Sequence, residues 1–132
     1  MILVDTSVLI DFLRGDENPA VQRFLQVIDR EIPFGISPLI FMEVLQGAAT
    51  DKDFMRLEVY LQSQAFYDLR DGRESIARAA RMSFELRRKG TALRSSIDFL
   101  VAQTAIDNDL YLLHNDADFE RIKQVSRLKT WD

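Results

Sequence analysis

The sequence predicts an α/β protein in which helices cover both faces of a parallel sheet of about five strands. Two observations favour this class. Short apolar runs of strand length alternate with longer segments whose apolar residues recur at helical spacing. In two places, after Val4 and after Leu113, an apolar strand is followed closely by carboxylates and then by a helix. Open α/β sheets bind ligands at such strand ends.

Turn and capping residues set the predicted boundaries. Pro19 suits the first turn of a helix, and Ser37 and Pro38 are typical of an N-cap and the first helical residue. Gly47 and Gly90 are predicted to end helices. The predicted strands are 2–4, 34–36, 65–69, 110–113 and 128–131. The predicted helices are one that follows Asp5 and ends at Arg14, then 19–30, 38–46, 52–64 and 72–89, one that begins after a capping serine at 95–96 and runs to 107, and 117–123.

Two helices carry a distinct set of apolar residues. In helix 52–64 these are Phe54, Leu57, Val59 and Leu61, and the sequence does not decide whether they face the core or an interface. In helix 72–89 six residues are expected to pack inward: Ile76, Ala79, Ala80, Ser83, Phe84 and Leu86.

Length and composition describe an ordinary globular chain. Its 132 residues suffice for one domain with its own core, 1–132, and 47% are hydrophobic and 29% charged. The absence of cysteine excludes disulfides and thiolate metal sites. With no signal peptide and no apolar run of about 20 residues, the expected location is cytoplasmic. A net charge of −4 argues against a simple basic nucleic-acid clamp, but it does not exclude a nuclease whose carboxylates hold a cation.

Acidic residues stand where two strands end. Asp5 follows the first strand, and Asp116, Asp118 and Glu120 follow the strand that ends at Leu113. A structural role explains each equally simply, because Asp is a favoured N-cap and acids stabilise the first turn of a helix. For Asp118 and Glu120 taken singly, the structural role is the preferred interpretation.

Two further acids lie inside apolar helices. Glu43 has apolar neighbours around most of its helix, where a carboxylate needs a cation, a hydrogen-bond donor or water. Asp98 lies in the first turn of its helix, which explains a negative charge without invoking function. If these two acids converge with Asp5 and Asp116, their repulsion would be relieved by a hard divalent cation, either Mg²⁺ or Mn²⁺. Such a centre supports phosphodiester hydrolysis.

Four segments occur in the order and at about the spacing typical of a PIN domain: "MILVDTSVLIDFLRG", "SPLIFMEVLQGA", "SSIDFLVAQTAI" and "YLLHNDADFERI". Across nearly its whole length the chain resembles the VapC ribonuclease toxins of bacterial toxin–antitoxin pairs. The resemblance implies a PIN-like three-layer α/β/α fold and a Mg²⁺- or Mn²⁺-dependent endoribonuclease.

By motif position, the resemblance also implies a set of site residues. Asp5 and Asp98 are the favoured pair of metal ligands, Asp116 completes the metal site, and Glu43 binds metal or positions the attacking water. Asp118 is a weaker candidate for a second metal or for orienting its neighbours, and Thr6 is a candidate to hydrogen-bond a ligand carboxylate.

One position departs from the resemblance. His114 stands where many relatives have Ser or Thr, and it is the only histidine of the chain. Two interpretations stay open. The preferred one is that His114 ends the strand and hydrogen-bonds locally, and the other is that it adds a titration near neutral pH.

The sequence also offers candidate residues and surfaces for binding partners. Five basic residues near the proposed site are candidates to contact RNA, although cations at a solvated helix end are equally expected: Arg14, Arg87, Arg88, Lys89 and Arg94. The resemblance implies a homodimer and a VapB-like antitoxin whose tail would block the crevice. Helices 19–30 and 52–64 have enough apolar residues to supply such surfaces.

Three rival classes can be compared. A haloacid-dehalogenase-type phosphatase would need an acid at Ser7, and a response-regulator receiver would need an acid pair near the first strand, where Asp5 stands alone. A non-enzymatic α/β binding module, with its acids as caps and surface charges, remains the alternative. It predicts that Asp98→Asn is tolerated.

Overall fold

The computed structural model describes residues 1–132, and its five strands form one parallel sheet in the order β3-β2-β1-β4-β5. The strands are β1 (Ile2–Val4), β2 (Phe34–Ile36), β3 (Ala65–Phe66), β4 (Tyr111–Leu113) and β5 (Lys129–Thr130). The helices are α1 (Thr6–Arg14), α2 (Pro19–Asp29), α3 (Pro38–Gln46), α4 (Asp51–Gln62), α5 (Arg73–Arg88), α6 (Ser96–Asp107) and α7 (Ala117–Ile122), followed by a 3-10 turn (Lys123–Val125). The predicted α/β class and α/β/α architecture are confirmed.

The order of the strands places a crevice beside β1. The chain builds β2 and β3 on one side of β1 and then crosses to add β4 and β5 on the other. Leu3 is therefore in register with Gly35 of β2 and Leu112 of β4. Reversal of strand order between two neighbours leaves an opening at their carboxyl ends. The residues that follow β1 and β4 border this opening.

The inner strands are apolar because helices cover both faces of the sheet. All three residues of β1 are fully buried, as are Leu112 and Leu113 of β4. They belong to one cluster of 26 buried residues to which the helices also contribute. This explains why the inner strands read as continuous apolar runs without alternation.

Gly35 allows the sheet to close between β2 and β3. A Cβ atom at this position would lie 2.5 Å from the carbonyl oxygen of Ala65 and 2.7 Å from a ring carbon of Tyr67. No side chain fits within those distances. Glycine is therefore required here by the close approach of the neighbouring chain.

The predicted element order is correct, but the edge strands are shorter than expected. Strand β3 has two residues where five were predicted, and β5 has two where four were predicted. Short edge strands present few unpaired backbone groups. In α4, Phe54 and Val59 are exposed, and Leu61 alone is buried.

The inward face of α5 was predicted wrongly at three positions. Ile76, Ala80 and Phe84 are exposed, and the buried residues are Ser75, Ala79, Met82 and Leu86. The reason is that Ser75 can be buried: its hydroxyl donates to Asp107 at 2.6 Å and accepts from the Asp71 N–H at 3.0 Å. A satisfied polar residue thus takes a place in the buried stripe, and the adjacent apolar stripe faces solvent.

The helices are also too short or too polar for a bilayer. None of them could cross a membrane.

Candidate metal centre

The turn from β1 to α1 holds Asp5 in a buried position. Asp5 is 5% exposed and caps α1, and its Oδ2 accepts from the Ser7 N–H at 3.0 Å and from the Ser7 hydroxyl at 2.6 Å. Its own N–H donates to Leu113 O at 2.9 Å, which fixes the turn against β4. Burial raises the pKa of Asp5, although the hydrogen bonds from Ser7 oppose this.

The turn from β4 to α7 presents two more carboxylates. Asp116 caps α7, and its Oδ1 accepts from the Asp118 N–H at 2.9 Å. Asp118 follows in the first turn, where Arg121 donates to its Oδ1 at 2.6 Å. Both carboxylates therefore belong to a short segment that starts at the end of the strand next to β1.

Helix α3 brings Glu43 to the same place. The Thr6 hydroxyl donates to Glu43 Oε1 at 3.0 Å, although 37 residues separate the two in the chain. Burial and the nearby charge of Asp5 raise the pKa of Glu43, and the hydrogen bond from Thr6 opposes this rise. Glu43 is therefore partly buried and lies close to Asp5.

Helix α6 contributes Asp98 from its first turn. The Ser95 hydroxyl caps this helix by accepting from the Ile97 N–H at 3.2 Å. Asp98 is half-buried, and its pKa is raised to about 7. Burial is the main cause, and repulsion by four other carboxylates adds to it: Asp5, Asp116, Asp118 and Glu43. A positive charge nearby would lower this pKa and favour the ionised carboxylate.

Three of these carboxylates lie close enough to share one ion. One oxygen each from Asp98, Asp116 and Asp118 lies within 4.8 Å of the others. Opposite oxygen ligands of Mg²⁺ stand about 4.2 Å apart, twice the metal–oxygen distance. An all-oxygen, carboxylate-rich set of this size fits a hard divalent cation such as Mg²⁺ or Mn²⁺. The mutual repulsion at Asp98 is what such a cation would relieve.

The structure thus places all four predicted acids, Asp5, Glu43, Asp98 and Asp116, around one crevice. The three carboxylates whose oxygens lie within 4.8 Å of one another are those of Asp98, Asp116 and Asp118. Asp5 is not among them, although Asp5 and Asp98 were the favoured pair of metal ligands. The alternative interpretation of these acids as helix N-caps is also correct for two of them, since Asp5 caps α1 and Asp116 caps α7. One carboxylate can cap a helix with one oxygen and face the crevice with the other.

Two residues at the crevice were missed from the sequence. Ser7 holds Asp5, and its position two residues after an Asp at a strand end is the local signal for such a turn. Arg121 pairs with Asp118, and its i,i+3 spacing on α7 would have indicated this. Thr6 does hydrogen-bond a carboxylate, as predicted, and that carboxylate is Glu43.

The five basic candidates lie on the surface, at the ends of two helices or in the loop before α6. Arg87 shares a groove between α5 and α6 with Ser96, two residues before Asp98. Arg88 pairs with Glu85 at 3.5 Å, and Lys89 donates to Gln124 O at 3.5 Å. Arg14 and Arg94 are exposed. All five are accessible to a polyanion.

Comparison with known proteins identifies the family. The profile described as "PIN domain" matches residues 2–125. The chain is 30% identical over 130 residues to the VapC ribonuclease Mb1587 of Mycobacterium bovis and to ribonuclease VapC11 of Mycobacterium tuberculosis, covering 98% of this chain and 96% of each relative. The solved VapBC2 of Rickettsia felis, bound to a promoter DNA fragment, includes a chain that superposes with a TM-score of 0.74 at 20% identity over 100% of both chains. The chain therefore belongs to the PIN-domain family, among its VapC ribonucleases.

Proposed function

We propose that this protein is an endoribonuclease that depends on Mg²⁺ or Mn²⁺ and acts as the toxin of a type II toxin–antitoxin pair. The observation that supports this best is the convergence of Asp98, Asp116 and Asp118, with oxygens within 4.8 Å of one another, beside the buried Asp5. Its relatives are named ribonucleases. A carboxylate cluster that needs a cation is the kind of site at which phosphodiester bonds are hydrolysed.

The carboxylates have different proposed roles. Asp98, Asp116 and Asp5 would hold the cation, with Asp118 as a further ligand or as the partner that orients Arg121. The bound cation would supply the positive charge that activates water and stabilises the phosphodiester in the transition state. Glu43 would bind metal or orient the attacking water. Thr6 engages its Oε1, which leaves Oε2 to accept a hydrogen bond from that water.

The raised pKa of Glu43 suits a role in moving a proton. A carboxylate whose pKa lies above the usual value is a better base than an exposed one. Thr6 fixes the orientation of Glu43 without protonating it, because the hydroxyl donates its hydrogen to the carboxylate. Glu43 can then take a proton from water on the side that faces the crevice.

The exposed basic residues would bind the phosphates of RNA. Arg87 lines a groove with Ser96 at the start of α6, and the other four would add positive charge: Arg14, Arg88, Lys89 and Arg94. A Lys or Arg that neutralises one phosphate makes binding salt-dependent. Arg87→Gln should therefore weaken RNA binding by the Asp98→Asn protein and reduce the slope of affinity against salt by about one.

Homodimerisation and a VapB-like antitoxin are the proposed protein partners. Solved structures of similar fold include VapBC2 of Rickettsia felis and a toxin–antitoxin complex of Klebsiella pneumoniae. Exposed apolar residues on α2 and α4 offer surface for such contacts: Leu25, Ile28, Phe54, Met55 and Val59. Light scattering on the purified chain tests the dimer. Addition of an equimolar VapB-like protein should suppress RNA cleavage.

The proposed activity can be tested with purified protein on a mixed RNA pool, with Mg²⁺, with Mn²⁺ and with chelator. Asp98→Asn removes one carboxylate from the centre with little change in size. Asp29→Asn, on the exposed end of α2, makes the same chemical change outside the crevice and is the matched control. We expect metal-dependent cleavage by the wild-type and Asp29→Asn proteins and none by Asp98→Asn.

Other outcomes would decide against the proposal. Equal cleavage by wild-type and Asp98→Asn protein would indicate a contaminating nuclease or a different site. Absence of both cleavage and Mn²⁺ binding would favour the non-enzymatic binding module. Calorimetric titration with Mn²⁺ separates these cases, since it reports on the carboxylate cluster without any RNA.

A further inference from the structure

His114 lies at the end of β4, between the metal-centre turn and α7. Its side chain is 11% exposed, and its ring packs against the buried Phe119 with a centroid distance of 5.1 Å. The ring has two polar partners. Nδ1 accepts from the Asp116 N–H at 3.1 Å, and Nε2 lies 2.9 Å from Glu120 Oε2.

These partners determine which ring nitrogen carries the proton. A backbone N–H can only donate, so Nδ1 has to accept and carries no proton. The proton is then on Nε2, where it is donated to the Glu120 carboxylate. Both ring nitrogens are engaged in this way, and neither is available to take a proton from water. The ring acts as a hydrogen-bond bridge between the turn and α7.

The neighbouring amide is held from the other side of the crevice. The Asn115 N–H donates at 2.9 Å to the hydroxyl of Ser7, which in turn donates to Asp5. Two consecutive N–H groups thus each donate to a side chain: that of Asn115 to Ser7 and that of Asp116 to His114. Through Ser7 the segment is tied to the β1–α1 turn, and through His114 it is tied to α7.

We propose that His114 is a positioning residue, which orients Asp116 for cation binding by accepting its N–H through Nδ1 while Glu120 holds the ring in place. This inference rests on the proposed metal centre. In metalloproteins, hydrogen-bond partners that orient the ligands affect metal affinity by about 10- to 100-fold. A hydroxyl or amide oxygen at residue 114 could accept the same N–H, as the Asp5 carboxylate accepts the N–H two residues on.

Two substitutions separate the two hydrogen bonds of the ring. The side-chain oxygen of Asn occupies nearly the position of His Nδ1, so His114→Asn keeps an acceptor for the Asp116 N–H and loses the link to Glu120. The longer Gln places its amide nitrogen near the position of Nε2, so His114→Gln keeps a donor to Glu120 and loses the acceptor. His114→Ala loses both.

The measurement is calorimetric titration of the full chain with Mn²⁺ alone, with the midpoint of urea unfolding recorded for each variant. We expect His114→Asn to bind Mn²⁺ nearly as tightly as the wild type, and His114→Gln and His114→Ala to bind about tenfold more weakly. If the ring only stabilised the fold, each variant would lose Mn²⁺ affinity in proportion to its loss of stability. His114→Asn would then bind Mn²⁺ no more tightly than His114→Gln. If His114→Ala does not fold, the comparison of Asn with Gln still decides.

The alternative outcomes distinguish this inference from the proposed function. Equal Mn²⁺ affinity in wild type, Asn and Gln variants would overturn the role of His114 and leave the metal centre intact. Equal weakening in the Asn and Gln variants would also overturn it, because packing of the ring would then be what matters. No Mn²⁺ binding by the wild type would overturn the metal centre and this inference together.

Discussion

The Ser7 hydroxyl lies 2.6 Å from Asp5 Oδ2, the shortest of the contacts that hold the first carboxylate of the crevice. The Ser7 hydroxyl oxygen also accepts the Asn115 N–H, at 2.9 Å. One hydroxyl therefore joins the two turns that border the crevice. The position of Asp5 relative to Asp116 depends on this joint, since each acid follows a different strand.

Ser7→Ala should lower the free energy of unfolding by about 1–3 kcal/mol, because it removes the hydrogen bond from the hydroxyl to Asp5 and the acceptor of the Asn115 N–H. It should also raise the pKa of Asp5, since the hydrogen bond from the Ser7 hydroxyl is the largest of the effects that oppose burial. Ser7→Thr retains the hydroxyl and is the control. Urea unfolding measures the first effect, and a stability of Ser7→Ala equal to that of wild type would contradict it.

The bond from Thr6 to Glu43 leads to a prediction about pH. Burial and repulsion by Asp5 raise the pKa of Glu43, and Thr6 opposes them. Thr6→Val removes the donor, so the pKa of Glu43 should rise further and its charged form should be lost at a higher pH. Relative to wild type, cleavage by Thr6→Val should thus fall most on the acidic side of the pH profile.

Thr6→Ser is the matched control for this profile because it keeps the hydroxyl. Its acid limb should coincide with that of the wild type. If the loss in Thr6→Val were the same at every pH, Glu43 would not be the group that titrates. Calorimetry with Mn²⁺ on the same proteins shows whether the cation site has changed.

The parts of this structure that the sequence predicts are those with local causes. Ser37 and Pro38 start α3 by capping chemistry that a few neighbouring residues determine, and β1 is recognisable as an apolar run because both of its faces are covered. The acids after β1 and β4 could be predicted to lie close together because neighbouring parallel strands end at the same edge of the sheet.

What the sequence did not predict depends on contacts between distant segments. The inward face of α5 includes Ser75, and a serine is acceptable there only because Asp107 of α6 accepts its hydrogen. Asp118 belongs to the tightest carboxylate group because of distances in space, whereas its sequence position is equally typical of a first-turn acid. Neither fact follows from hydrophobic periodicity or from spacing.

Gly35→Ala should destabilise the sheet between β2 and β3. The added Cβ would meet the carbonyl of Ala65 at 2.5 Å, and backbone cannot move away as a flexible side chain would. The cost of such overpacking is about 1–3 kcal/mol. Gly47→Ala is the control, because its Cβ would meet nothing closer than Val44 O at 3.5 Å. Equal unfolding midpoints for the two variants would show that β3 does not hold this register.

Stability without metal should fall as pH rises, because of Asp98. Its folded pKa is about 7, against 3.8 for an unperturbed group. Between these values the folded protein binds more protons than the unfolded chain, so rising pH favours unfolding. The destabilisation should begin near pH 4 and be complete above pH 7. Because Asp98 is half-exposed, we discount the full shift and expect about 1–2 kcal/mol.

Urea unfolding of the chelator-treated protein across this pH range provides the measurement. Asp98→Asn should reduce the dependence to the part that Asp5 and Glu43 contribute and be more stable than wild type at pH 8, whereas the control Asp29→Asn should keep the wild-type slope. Added Mn²⁺ should restore stability to the wild type above pH 7 and do little for Asp98→Asn, since a cation stabilises only the state that binds it. A slope shared by wild type and Asp98→Asn would assign the effect to other groups and would remove the main electrostatic argument for a cation at this crevice.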